Sequence, residues 1–295
     1  MLHDQTECLR VQQAAGRSSW KVEIIFVGGY FIKKGLCVIV DKSLVQKVSE
    51  IAMRAGALVL EYWSKPLEYH YKKDAGFATQ VDVAVENFIM QELRKIDSTV
   101  PFWAEENGKT AEESDWYWVI DPIDGTTNYA CHVPYFCISI ALTYKDIPQL
   151  GVIYSPVTKE TFSAYKNNGA FCNGKKIAVS DRALDKSLIA VSFPYTCSHN
   201  FDDCVGYIHK IITYVADVRV MGAVALDLAY VAAGRFDGTI FHNLSWWDIA
   251  AGMIILQEAG AIVSSFDGTN IGPQFDTFIA IGEKNYKQLR ELLAS

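Results

Sequence analysis

Trp116-Tyr-Trp-Val-Ile-Asp-Pro-Ile-Asp-Gly-Thr-Thr-Asn128 is the stretch from which the rest of the chain is read. Trp116 to Ile120 is apolar throughout, too short for a helix and suited to a buried strand. Asp121-Pro122 is expected to end that strand, because proline has no N–H for a central ladder. The chain then leaves the sheet carrying two carboxylates, Asp121 and Asp124. Gly125-Thr126-Thr127 follows at once, a glycine turn rich in hydroxyls and backbone N–H groups, suited to the start of a helix that holds phosphate. Carboxylates repel a bare phosphate, so the two features belong together if a divalent cation sits between them. A plain acidic turn uses the same residue types. An unbroken block of them, straight after an apolar strand, favours the chemical reading.

The 295 residues suffice for one large α/β domain or two halves sharing a core. Half are apolar and 21% are charged, as in soluble globular proteins. Basic residues number 27 against 34 acidic, a net charge of −7, and no basic run is present. This balance argues against nucleic acid as a partner and gives a phosphate substrate no help from the overall field. Attraction must then come locally, from a metal. The 7 cysteines are scattered and form no CxxC pair, which fits reduced thiols in a cytoplasmic protein. Cys131 and Cys137 are expected to be small packing residues. His70, His132, His199 and His242 show no metal-ligand spacing, and satisfied or exposed imidazoles are expected. Residues 1–40 do not resemble the rest: Met1 to Ser19 is polar and patternless, and Val22 to Val40 is apolar but interrupted by Glu23, Lys33 and Lys34. It is a poor membrane span and a poor signal peptide, and is expected to be an extension, disordered or upstream of the true start.

From Asp41 the pattern sharpens. Ser43 to Trp63 is an amphipathic helix with Leu44, Val48, Ile51, Ala55, Leu58, Val59 and Tyr62 recurring at helical spacing, and Ser43-x-x-Gln46 as its expected capping box. Asp82 is placed to cap the next helix, with a supporting role at a catalytic site as the alternative. Val100 to Ala104 is a second short strand with an acidic exit, Glu105-Glu106. Should it lie beside the first strand, Glu105 faces Asp121 and Asp124, and three such carboxylates call for a cation. Residues 135–179 read as an antiparallel meander, with Asn167-Asn168-Gly169 as a hairpin turn. Beyond residue 186 strands alternate with helices in a layered α/β arrangement. Ser245-Trp-Trp-Asp248 opens one of those helices, and its carboxylate is either a cap or a ligand supplied by the second half.

Trp103-Ala-Glu-Glu106, Asp121-Pro-Ile-Asp-Gly-Thr-Thr-Asn128, Trp247-Asp-Ile-Ala-Ala-Gly252 and Glu258-Ala-Gly260 together resemble the inositol monophosphatase family, the magnesium-dependent, lithium-sensitive phosphatases. Gly151-Val-Ile-Tyr-Ser-Pro156 and Gly169-Ala-Phe-Cys-Asn-Gly174 are similar to its members as well. The resemblance spans residues 41–295, an N-terminal α+β half at 41–185 and a C-terminal α/β half at 186–295. It implies a five-layer αβαβα sandwich, usually a homodimer, acting on a small phosphorylated polyol or sugar. It implies that Glu105, Asp121, the Ile123 carbonyl, Asp124 and Asp248 ligate Mg²⁺. Thr126, backed by Asp82 and flanked by Glu105, would position the attacking water. Gly125, Thr126, Thr127, Gly222 and Ala223 would line the substrate pocket.

One position departs from the family pattern. Members acting on inositol phosphates commonly carry a Glu seven residues before the helix Asp, where it contacts sugar hydroxyls; here that residue is Phe241. A site without that polar partner handles a polyol poorly. Inositol monophosphate is the default substrate, with fructose 1,6-bisphosphate, histidinol phosphate and adenosine 3′,5′-bisphosphate as alternatives. A regulatory binding protein of the same fold is the non-enzymatic alternative. An aspartyl-phosphate phosphatase of the haloacid-dehalogenase type spaces its aspartates two apart and leaves Glu105 without a role; here they are three apart.

Overall fold

The structure is a computed structural model that describes residues 7–10, 23–27, 30–33, 39–71, 77–192 and 201–294. The chain divides into two compact units, Met1–Ile39 and Val40–Ser295. In the first, β1 (Glu7–Arg10), β2 (Glu23–Val27) and β3 (Tyr30–Lys33) pair as an antiparallel sheet. These residues of the extension form strands. The β-branched and aromatic content of 23–33 supplies the reason.

The second unit opens with α1 (Lys42–Trp63), β4 (Tyr69–Tyr71), β5 (Phe77–Thr79) and α2 (Gln80–Ile96). The cap of α1 is Asp41, whose Oδ1 accepts from the Leu44 N–H at 2.8 Å; Ser43 lies inside the helix and is not the expected cap. Asp41 is the better acceptor there because its carboxylate also suits the positive end of the helix. In α2 the cap is Thr79, and Asp82 is the third helical residue returning a hydrogen bond to it. Next come β6 (Phe102–Ala104), β7 (Gly108–Lys109), β8 (Trp116–Asp124) and α3 (Thr126–Ala130), then the meander β9 (Cys137–Tyr144), β10 (Ile147–Ser155), β11 (Glu160–Tyr165), β12 (Ala170–Cys172) and β13 (Lys175–Ile177). The remainder is β14 (Leu188–Ser192), α4 (Phe201–Ile211), β15 (Asp217–Arg219), α5 (Val224–Ala232), β16 (Gly238–His242), α6 (Trp246–Glu258), β17 (Ala261–Ser264), β18 (Thr277–Gly282) and α7 (Glu283–Ala294).

The strands form an eight-stranded sheet, ordered β13-β12-β11-β10-β9-β8-β6-β7, and a five-stranded sheet, ordered β15-β14-β16-β18-β17. Helices α1 and α2 pack on the outer face of the first sheet, α5 and α6 lie between the sheets, and α4 and α7 meet on the far side. The result is the expected αβαβα layering. The central helix α6 is buried on nine positions around its circumference, which is why Ile249 to Leu256 reads as apolar without an amphipathic stripe. Such a helix must touch a sheet or helix on every side, and glycine permits the close approach. A Cβ on Gly151 of β10 would lie 2.4 Å from the Ala251 carbonyl oxygen, and one on Gly252 would lie 2.4 Å from Leu228 Cδ1. Gly151→Ala is therefore expected to cost about 1–3 kcal/mol, because backbone on α6 cannot step aside; chemical denaturation against wild type measures it.

Candidate metal centre

All nine residues of β8 are buried, flanked by β9 and β6. The strand does not end at Asp121, as proline had led us to expect. It continues to Asp124, with a register shift against β9 between Asp121 and Asp124. Pro122 sits in that irregularity, one of the few places inside a sheet that tolerates a missing N–H. The bulge has a consequence for the site: Asp121 and Asp124 are both presented from a rigid central strand. Strand β6 runs parallel to β8, with Ala104 opposite Ile120, so the two acidic exits leave the sheet at the same edge.

Around Asp121 the four expected carboxylates act on one another. Asp121 is 2% exposed and its Oδ1 has no hydrogen-bond partner. Burial pushes its carboxyl well above the usual range; the charges of Glu105, Asp124 and Asp248 push it further, as does a hydrogen bond with Glu105. Burial likewise raises Asp124 to about 6, with hydrogen bonds from Leu226, Cys137 and Val224 pulling the other way. The two backbone bonds come from the second half of the chain: the Val224 N–H donates to Oδ1 at 2.9 Å and the Leu226 N–H to Oδ2 at 3.3 Å. Asp124 thus caps α5 across 100 residues of sequence. Asp248, in the first turn of α6, accepts the Ser245 N–H at 2.8 Å.

Among the described residues no group of three or more His, Cys, Asp and Glu side chains is arranged to enclose an ion. A buried, unpartnered Asp121 oxygen amid three further acids fits a hard, oxygen-seeking dication.

Beside the acids lies the turn. Gly125 has φ +91° and opens α3. A Cβ there would meet Ala223 Cβ at 3.0 Å, Tyr135 O at 3.1 Å and Gly222 O at 3.2 Å, so glycine is needed for conformation and for space. Gly222 and Ala223 therefore stand against the turn. Asn128 Nδ2 ties the same junction, donating to Tyr135 O and Met221 O at 2.8 Å each. The Thr126 hydroxyl lies 3.1 Å from Asp82 Oδ1 and 3.0 Å from Ile123 O. Asp82 Oδ2 is committed to Thr79, whose N–H and hydroxyl donate at 2.7 and 2.6 Å. Asp82 is not the cap itself: its Oδ2 closes the capping box with Thr79 and its Oδ1 holds Thr126. Thr127 is exposed beside them.

A family model described as the inositol monophosphatase family matches residues 41–295. The chain belongs to the inositol monophosphatase family. It is 37% identical to the Nus factor SuhB of Pseudomonas aeruginosa over 83% of this chain and 95% of that one. It is 35% identical to an inositol-1-monophosphatase of Synechocystis over 84% of this chain and 87% of that one. Among solved structures, the extragenic suppressor protein suhB of Bartonella henselae superposes with a TM-score of 0.81 at 34% identity, over 85% of this chain and 98% of that one. Family membership supports a phosphatase as the reaction class.

Within that family fold, Phe241 on β16 is 1% exposed and stacks on Phe278 with ring centroids 5.8 Å apart. It belongs to the core between sheet and helices and offers nothing polar to a substrate. Cys137 is buried, but it does more than pack: its Sγ lies 3.4 Å from Asp124 Oδ2. Cys131 is exposed, so the packing role expected for it does not hold. His242 Nδ1 is buried without a hydrogen-bond partner, unlike the satisfied imidazole expected; His70 and His199 lie outside the residues whose side chains are described. Two fully buried acids escaped the sequence reading. Asp227 of α5 accepts the Tyr135 hydroxyl at 2.7 Å. Glu86 of α2 accepts N–H groups from Glu106 and Asn107. A signal for Glu86 was present: it falls four residues after Asp82, on the stripe of Val85 and Ile89, where an acid is out of place.

Proposed function

We propose that this chain hydrolyses a small phosphomonoester with Mg²⁺, inositol monophosphate being the default substrate. What supports the reading is family membership over residues 41–295, together with the charges of Glu105, Asp124 and Asp248, from both halves of the fold, acting on the buried Asp121. Glu105, Asp121, the Ile123 carbonyl, Asp124 and Asp248 would hold the metal. Bound there, Mg²⁺ lowers the pKa of a coordinated water and neutralises charge as the ester bond breaks. The remaining work falls to the chain. With its proton directed to Asp82 Oδ1, the Thr126 oxygen presents lone pairs to a water and orients it. Glu105 stands ready beside Asp121 as a second acceptor. The first N–H groups of α3, at Gly125 and Thr126, have no partner inside that helix and would receive phosphate oxygens. Thr127, Gly222 and Ala223 would close the pocket. Positioning and electrostatics suffice for phosphoryl transfer, so no covalent nucleophile is required.

Family membership supports three further parts of the proposal: a homodimer, inhibition by lithium, and a cytoplasmic location. Among the described residues no helix is long and apolar enough to cross a membrane. The apolar Phe241 leaves room for substrates other than inositol phosphates. A phosphate-release panel of inositol monophosphates, fructose 1,6-bisphosphate, histidinol phosphate and adenosine 3′,5′-bisphosphate tests the reading. We expect release to require Mg²⁺, to be inhibited by Li⁺, and to be fastest with an inositol monophosphate. Equal rates in EDTA would end the metal-dependent reading.

The 37% identity to a protein named as a Nus factor favours a second reading, a regulatory binding protein of the same fold. The net charge of −7 speaks against direct RNA contact, which leaves a protein partner for this reading. Affinity capture of transcription machinery, undiminished in a variant that releases no phosphate, would support it.

A further inference from the structure

Helix α2 carries two carboxylates one turn apart, Asp82 and Glu86, each with no exposed surface. Asp82 reaches Thr126 at the exit of β8, and Glu86 reaches the exit of β6. The Glu105 N–H donates to Ile120 O at 3.2 Å, which ties its backbone to β8. The next two N–H groups belong to Glu86: Glu106 N donates to Oε2 and Asn107 N to Oε1, each at 2.9 Å. Asn107 Nδ2 adds a third bond to Oε1 at 2.8 Å. Glu105 is therefore clamped on both sides, by the sheet before it and by α2 after it.

We propose that Glu86 is a positioning residue for the metal centre: it fixes the backbone that follows Glu105, sets the direction of the Glu105 side chain, and so sets the affinity for divalent cation. The inference rests on the phosphatase reading above. The position itself argues that holding a turn is not the whole role. Residue 86 sits on the buried stripe of α2 with Val85, Ile89 and Leu93, where an apolar side chain would pack without desolvating a charge. Burial does push the Glu86 carboxyl upward, against the pull of its three bonds. A carboxylate that only holds a turn is found elsewhere in this chain. Glu258, at the far end of α6, accepts the N–H groups of Asn167, Asn168 and Gly169 at 2.7, 2.9 and 2.6 Å. It lies about 15 Å along the helix from Asp248 and serves as the structural comparator.

The test compares Glu86→Gln with Glu258→Gln in the full chain. In Glu86→Gln the new amide keeps an oxygen for the two Asn107 donors but turns an NH₂ toward the Glu106 N–H. Mn²⁺ binding is followed by electron paramagnetic resonance of the free ion, alongside the Mg²⁺ requirement for phosphate release and the melting temperature. We expect Glu86→Gln to weaken Mn²⁺ binding about 10-fold or more, the effect usual for groups that orient metal ligands. Glu258→Gln is expected to lower the melting temperature with unchanged Mn²⁺ affinity. Wild-type affinity in Glu86→Gln, or an equal loss in Glu258→Gln, overturns the inference. Should Glu86→Gln not fold, Asn107→Ala removes one of the three bonds at an exposed position, and an unchanged affinity there overturns it equally. A wild-type chain that binds Mn²⁺ but releases no phosphate counts against the hydrolase reading alone, and the Mn²⁺ comparison still decides the role of Glu86. A wild-type chain that binds no Mn²⁺ overturns both.

Discussion

Asp121→Asn is expected to lower magnesium-dependent phosphate release at least about 1,000-fold, roughly 4 kcal/mol of transition-state stabilisation, and to make the metal-free chain more stable at pH 8. The two effects have one cause. Asp121 is buried among Glu105, Asp124 and Asp248, so its charged form is disfavoured in the folded state. A dication is what makes that charge useful, and an amide supplies one weak oxygen in its place. Without metal, the amide relieves a repulsion that the wild type carries. The gain in stability is expected to shrink as pH falls through 4, below which folded and unfolded wild type both hold the proton. Chemical denaturation in EDTA at both pH values, beside an initial-rate assay, reads both effects. A variant retaining more than about a tenth of the wild-type rate removes Asp121 from the machinery.

Asp124→Asn is expected to lose turnover to a similar degree, with a pH signature that can be given a size. The folded-state pKa of Asp124 is raised to about 6, against about 4 in an unfolded chain. Its contribution to stability is therefore complete below pH 4 and is lost as pH rises through 6. The difference of about two units corresponds to about 3 kcal/mol. An asparagine side chain does not titrate, so the stability of the variant relative to wild type should rise by about 3 kcal/mol between pH 4 and pH 8 in EDTA. The absolute offset depends on α5, because the substituted amide can accept from Val224 or Leu226 with one oxygen only. Urea titrations of both proteins across that range measure the slope, and a flat difference would contradict the burial of Asp124 as the cause.

Much of this architecture is legible locally. The helix at 42–63, the meander from Cys137 to Ile177 and the alternation beyond Leu188 follow from apolar periodicity and turn residues, which act over a few positions. The acidic exits at Glu105 and at Asp121 to Asp124 stand out for the same reason: carboxylates straight after apolar strands. Local rules failed where a distant partner decided the outcome. Pro122 did not end β8, because β9 accommodates a bulge there. Asp82 is expected as the cap of α2, but Thr79 takes that place, and three-dimensional proximity gives one Asp82 oxygen to Thr79 and the other to Thr126.

The residue order by itself determined the element types, the family motifs and the identities of the carboxylates, since each depends on chemistry within one strand or turn. Only the tertiary structure decided that Asp124 caps α5, that Gly125 packs on Gly222 and Ala223, and that Glu86 clamps the residues after Glu105. Those facts depend on which surfaces meet when two sheets close on α5 and α6. A buried acid finds its partners through that packing, and its spacing along the chain carries no record of them.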